Sequence, residues 1–131
     1  MRLLLDTHIL LWRLAGSDKL SDDAIALMDE QADEVLASTV SVWEVAIKWS
    51  LRKGSPDDMP LSGRAFADAL EEAGVTVLPI VPAHAAALGD LDMHHRDPFD
   101  RLLVATARHE GLTLLTRDSA LGIYGKVVKV I

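Results

Sequence analysis

The stretch that decides the fold is the first one, Met1-Arg2-Leu3-Leu4-Leu5-Asp6-Thr7-His8-Ile9-Leu10-Leu11-Trp12. Leu3 to Leu5 form an apolar run, and Ile9 to Trp12 resume it. Between them stand a carboxylate, a hydroxyl and an imidazole. A short continuous apolar run reads as a strand buried on both faces, the kind found in a parallel sheet. Asp6 or Thr7 then reads as the cap of a helix. The carboxylate thus falls just past the carboxyl end of a strand, which is where ligands bind in open parallel sheets.

Working outward, the same alternation continues. Ser21-Asp22-Asp23 opens a helix through about Glu30, Val35 to Ala37 reads as a strand, and Ser41 begins a helix running to about Lys53. Ser62 to Ala73 is helical and stops at Gly74, a C-terminal stop signal. Val75 to Ile80 reads as a strand and Pro82 to Leu88 as a helix. Pro98 opens a helix that ends at Gly111, followed by strands at Leu112 to Leu115 and Val127 to Val130. Strands alternating with helices predict an α/β protein: a three-layer α/β/α sandwich around a central parallel sheet. The chain has no repeat, no low-complexity tract and no linker beyond the polar loop Gly54 to Pro60. Residues 1–131 are therefore expected to form a single domain.

Composition narrows the class. Half of the 131 residues are hydrophobic and 25% are charged, a globular balance. The absence of cysteine excludes disulfides and thiolate metal sites. Asp6, His8 and Arg13 break the opening apolar run, so it does not read as a signal peptide, and no run reaches the ~20 residues of a membrane span. A cytoplasmic protein without membrane contact is expected. The net charge of −7 argues against nucleic-acid binding over the whole surface, but not against a local basic patch.

Several acids follow the strands or open helices: Asp6, Glu44, Asp97, Asp100 and Asp118. Each has a local explanation. Asp97 could cap the helix that Pro98 begins, and Asp118 could serve a turn. Ser41-Val42-Trp43-Glu44 fits a capping box, and Glu44 could pair with Lys48 one turn on. Asp6 and Asp100 resist such readings, Asp100 because Leu102 to Ala105 follow it. If the acids converge, two carboxylates ~4 Å apart repel by about 4 kcal/mol at an effective dielectric near 20. A cation is then required, and an all-oxygen donor set suits Mg²⁺ or Mn²⁺ better than Zn²⁺. Such an ion serves phosphodiester hydrolysis.

Leu5-Asp6-Thr7, then Ser41-Val42-Trp43-Glu44-Val45-Ala46-Ile47-Lys48, then His95-Arg96-Asp97-Pro98-Phe99-Asp100-Arg101 through Ala107, then Leu115-Thr116-Arg117-Asp118 occur in this order. Together they resemble the PIN-domain ribonucleases, specifically the VapC-like toxins of prokaryotic toxin–antitoxin pairs. The resemblance implies a PIN-like fold and a catalytic, metal-binding set of Asp6, Glu44, Asp100 and Asp118. Asp97 is either a further ligand or a helix cap, and Thr7 and Thr116 are supporting hydroxyls. It also implies Mg²⁺- or Mn²⁺-dependent RNA cleavage, a homodimer, and a cognate antitoxin that blocks the groove. Lys48, Arg52, Arg96, Arg101 and Arg117 are candidate RNA phosphate contacts, or else solvated surface charge.

Three further readings complete the sequence. Val42, Val45, Ala46 and Trp49 make an apolar stripe expected in the core, and Trp43 with Ile47 makes a second one, expected in the core or else at a subunit or antitoxin contact. His94-His95 lacks a third histidine at suitable local spacing and is not read as a ligand pair. The alternatives are a non-catalytic interaction protein of the same fold and a receiver-type, phosphate-accepting signalling domain. The first would favour a missing acid, and none is missing. The second needs paired acids after the first strand and an Asp after Val75 to Ile80; neither is present.

Overall fold

The computed structural model describes residues 1–131. Its elements are β1 (Arg2–Leu5), α1 (Thr7–Leu14), α2 (Asp22–Ala26, continued by a π-helical turn over Leu27–Gln31), β2 (Glu34–Ser38) and α3 (Thr39–Ser50). They continue with α4 (Gly63–Glu72), β3 (Thr76–Leu78), α5 (Pro82–Ala87), α6 (Pro98–Glu110), β4 (Thr113–Thr116) and β5 (Val128–Val130). A 3₁₀ segment follows α5, and another, Ser119–Val127, leads from β4 into β5. The five strands form one parallel sheet in the order β3-β2-β1-β4-β5. This is the sandwich expected from the sequence.

The triple leucine explains the centre of the sheet. Successive residues of a strand face opposite sides, so Leu3 and Leu5 enter one core with Ile9, Val45, Phe66 and Leu70, while Leu4 enters the other with Leu36, Leu103, Val104 and Leu121. All three leucines are fully buried. The two outer strands are shorter and more exposed, and β3 occupies only three of the six residues expected to be strand. An edge strand pairs on one side alone, so its ends are held more weakly.

Two helix starts differ from expectation. Helix α3 begins at Thr39, not Ser41, because β2 runs on to Ser38, whose hydroxyl caps the helix through Val40 N–H. Ser41 and Glu44 therefore make no capping box; both are buried within the helix. The helix also stops at Ser50, short of Lys53. Trp43 is 52% exposed rather than in the core, with its ring edge-on to Phe99 at 4.9 Å. Of the other stripe, Val45 is buried and Val42 and Trp49 are half-buried. Ala46 lies where a Cβ on Gly63 would come within 2.6 Å, so the glycine sets the close approach of α3 to α4.

The chain order creates a crevice. It winds from β1 outward to β2 and β3, then returns to β4 on the other side of β1. The carboxyl ends of β1 and β4 are thus neighbours at the point where the winding reverses, the standard ligand position in such sheets.

Candidate active site

Asp6 leaves β1 at this crevice and caps α1. Its Oδ1 accepts from Thr7 N–H at 2.6 Å and its Oδ2 from the Thr116 hydroxyl at 2.6 Å. It is 5% exposed. Burial lifts its pKa above the ordinary carboxylate range, against the lowering effect of these two hydrogen bonds, and the charge of Glu44 adds to the rise.

Glu44 comes from the first half of α3 and is 3% exposed. Thr7 Oγ1 stands 2.7 Å from its Oε1 and 2.8 Å from Ser41 Oγ. A carboxylate only accepts, so the Thr7 proton goes to Glu44 and the Ser41 hydroxyl is left to donate to Thr7. Lys48 donates to Oε2 at 2.5 Å, one helical turn on. Burial works to lower the Lys48 pKa, but Glu44, with Asp97 and Asp100, raises it overall.

Asp100 lies in the first turn of α6, where the helix dipole favours negative charge. Even so, burial, followed by the charges of Asp6 and Asp97, pushes its pKa to about 7, against a lowering hydrogen bond from His95. Asp118 sits beyond β4, with its N–H donating to Thr116 Oγ1 at 3.0 Å and its Oδ1 capping the 3₁₀ segment through Ala120 N–H at 3.0 Å. Its Oδ2 lies 3.7 Å from His95 Nε2. Asp97 is a helix cap: its Oδ1 accepts from Phe99 N–H and Asp100 N–H at 2.8 and 3.1 Å. Thr7 Oγ1 reaches Glu44, and Thr116 Oγ1 reaches both Asp6 and the Asp118 N–H.

The arginines divide. Arg96 is exposed beside Asp97. Arg52 lies over the Trp49 ring at 3.8 Å and donates to the Trp49 carbonyl. Arg101 donates to the Leu91 carbonyl at 3.3 Å. Arg117 donates to the Lys19 carbonyl at 2.5 Å and stands 5.5 Å from the centre of the Trp12 ring.

Two residues at the site were not read as part of it. In the sequence Ser41 reads as a cap and His95 lacks a third histidine at suitable local spacing; in the fold its Nε2 is 3.0 Å from Asp100 Oδ2. Asp100, five residues on, was the one nearby signal for His95; its other partner, Asp118, comes from the turn after β4.

The donor set fits a divalent cation. Carboxylates from four separate segments meet at one sheet edge, and burial, with the charges of neighbouring acids added, raises the pKa values of Asp6 and Asp100. Asp100, Asp118 and His95 offer ligating atoms all within 4.8 Å of one another. Such oxygen-rich sites suit Mg²⁺ or Mn²⁺.

Comparison with known proteins follows the same lines. The family model of the PIN domain matches residues 3–126. Ribonuclease VapC22 of Mycobacterium tuberculosis is 33% identical over 120 residues, which cover 90% of this chain and 88% of that protein. Among solved structures, DNA-bound VapBC from Salmonella typhimurium superposes with a TM-score of 0.69 at 14% identity, covering 99% of this chain and 98% of that one. VapBC-5 from Mycobacterium tuberculosis, a member of the VapBC family of toxin–antitoxin systems, superposes with a TM-score of 0.59 at 21% identity, covering 100% and 98%. At these identities the two structures speak for the fold alone, whereas the profile and VapC22 span nearly the whole sequence. The chain belongs to the PIN domain family.

Proposed function

We propose that this chain is an endoribonuclease acting as the toxin of a toxin–antitoxin pair, with residues 1–131 working as one nuclease domain. The observation that carries the reading is the convergence of Asp6, Glu44, Asp100 and Asp118 at the β1–β4 crevice. The relation to ribonuclease VapC22 supports RNA as the substrate. Asp6, Glu44, Asp100 and Asp118 would hold Mg²⁺ or Mn²⁺, with Asp97 positioning the start of α6. A bound ion of this kind supplies charge neutralisation at a phosphoryl oxygen and an acidified water for attack on phosphorus.

The chain's own residues prepare that chemistry. Thr7 and Thr116 hold the Asp6 and Glu44 carboxylates in fixed orientations. Lys48 supplies a cationic partner to the buried Glu44 carboxylate. Arg96, exposed beside the acids, is the arginine best placed to meet a substrate phosphate. Lys48, Arg52, Arg101 and Arg117 already have protein partners and would reach RNA only by exchanging them. An antitoxin segment covering the crevice would silence the enzyme, and a homodimer would set two crevices in one particle. The VapBC complexes of the same fold support the antitoxin. No helix is long and apolar enough to cross a membrane; the RNA acted on is taken to be cytoplasmic, in line with the relation to VapC22.

The test is cleavage of a total RNA pool by purified, antitoxin-free protein with Mg²⁺, Mn²⁺ or chelator, beside Asp6→Asn and Asp100→Asn. Discrete products that disappear with chelator and in both variants are expected. Equal cleavage by wild type and variants would reject the assignment.

A further inference from the structure

His95 Nε2 faces two carboxylates, at 3.0 Å from Asp100 Oδ2 and 3.7 Å from Asp118 Oδ2. The three side chains come from two stretches: His95 and Asp100 from the turn before α6 and its first turn, and Asp118 from the turn after β4. The histidine is 21% exposed at its side chain, and its backbone is fixed in place. Its N–H donates to the Tyr124 hydroxyl at 3.2 Å, and that hydroxyl donates to the Asp92 carbonyl at 3.2 Å. A buried tyrosine thus braces the segment that aims the ring at the acids.

A second cluster shows what this geometry requires. His84, His109 and Glu110 also bring ligating atoms within 4.8 Å of one another. There, however, His84 Nδ1 accepts from Val81 N–H at 3.3 Å, so the proton of the neutral ring sits on Nε2 and points at Glu110 Oε1 at 2.6 Å. That nitrogen has no lone pair to give a metal. In His95 only Nε2 has a protein partner. Moving the ring proton to Nδ1 breaks no bond other than the one to Asp100, and it leaves Nε2 free to coordinate beside the two carboxylates.

We propose that His95 Nε2 is a ligand of the divalent ion held by Asp100 and Asp118, and that the site therefore takes Mn²⁺ in preference to Mg²⁺. The inference rests on the metal reading given above and names a residue and a selectivity that reading lacks. Mg²⁺ is hard and favours oxygen donors, whereas an imidazole nitrogen suits first-row transition ions. One nitrogen among carboxylates shifts the balance toward Mn²⁺ without excluding Mg²⁺.

The experiment is Mn²⁺ binding followed by electron paramagnetic resonance, with Mg²⁺ as competitor. Pulsed spectra are taken of the Mn²⁺-loaded protein with natural and ¹⁵N-labelled histidine. Wild type is expected to show ¹⁴N modulation that changes to the ¹⁵N pattern on labelling. In His95→Gln the modulation disappears, Mn²⁺ affinity falls about tenfold or more, and Mg²⁺ affinity changes far less. The wild-type spectrum alone is decisive if that variant does not fold. Bound Mn²⁺ without nitrogen coupling, or coupling that survives His95→Gln, overturns the inference and leaves the acidic metal site standing. Folded wild-type protein that binds no Mn²⁺ overturns both.

Discussion

The Thr116 hydroxyl donates to Asp6 Oδ2 across 2.6 Å, joining residues 110 positions apart at the ends of adjacent strands. The same oxygen accepts from Asp118 N–H at 3.0 Å, so one side chain organises two of the acids. Thr116→Val removes a donor from a buried carboxylate and is expected to cost about 1–3 kcal/mol in chemical denaturation. It should also reduce RNA cleavage, and Thr116→Ser should restore most of both.

Asp100 makes the metal-free protein less stable as the pH rises. Its folded pKa of about 7 lies above the ordinary 3.8, so between those values the native state binds more protons than the unfolded chain. The contribution is therefore present at low pH and lost as pH climbs through about 7. In chelator, Asp100→Asn should match wild type near pH 4 and exceed it near pH 8 by roughly 2 kcal/mol, after discounting a full shift for solvent screening. Thermal denaturation at the two pH values reads this directly. Saturating Mn²⁺ should reverse the order at pH 8, because only wild type retains the full ligand set.

Lys48 and Glu44 form an ion pair in which the glutamate is buried and the lysine is 38% exposed. Lys48→Met leaves that carboxylate without its cation, and a loss of about 1–3 kcal/mol is expected, less than for a wholly buried pair. Divalent metal should shrink the deficit, since it supplies positive charge to the same acids. A deficit unchanged by Mn²⁺ would place Glu44 outside the metal site.

Gly63 tests packing away from the chemistry. A Cβ there would meet Ala46 Cβ at 2.6 Å and its Cα at 3.0 Å, both on a helix that cannot easily move. Gly63→Ala is expected to destabilise by about 1–3 kcal/mol. Metal affinity should hold unless α3, which carries Glu44, is displaced with it.

Much of this was legible in the residue order. Buried strands of a parallel sheet are written as unbroken apolar runs, so Leu3-Leu4-Leu5 and Leu112 to Leu115 announced the central strands, and Pro98 and Gly111 bounded α6 to the residue. The edge strand β3 was overextended because an apolar run does not record how many neighbours a strand has. Asp6 stood out because one cap suffices for α1 and the sequence offers two; the fold uses Asp6 as the cap and turns Thr7 to Glu44.

The sequence by itself determined the layer order of this protein, its strand-end acids and its lack of thiolate ligands, because periodicity, capping and composition are properties of neighbouring residues. Only the tertiary structure decided what those acids meet. Glu44 fits a local capping box in sequence, yet the extension of β2 to Ser38 shifts the helix start and turns Glu44 toward Thr7. Trp43 reads as core in a helical pattern, yet Phe99 at the start of α6 covers its ring only in part and leaves it 52% exposed. His95 finds Asp100 five residues on, but meets Asp118 only when the turn after β4 is brought beside the start of α6 and Tyr124 holds the preceding turn. Each depends on contacts between distant segments, and those are set by the packing of the whole chain.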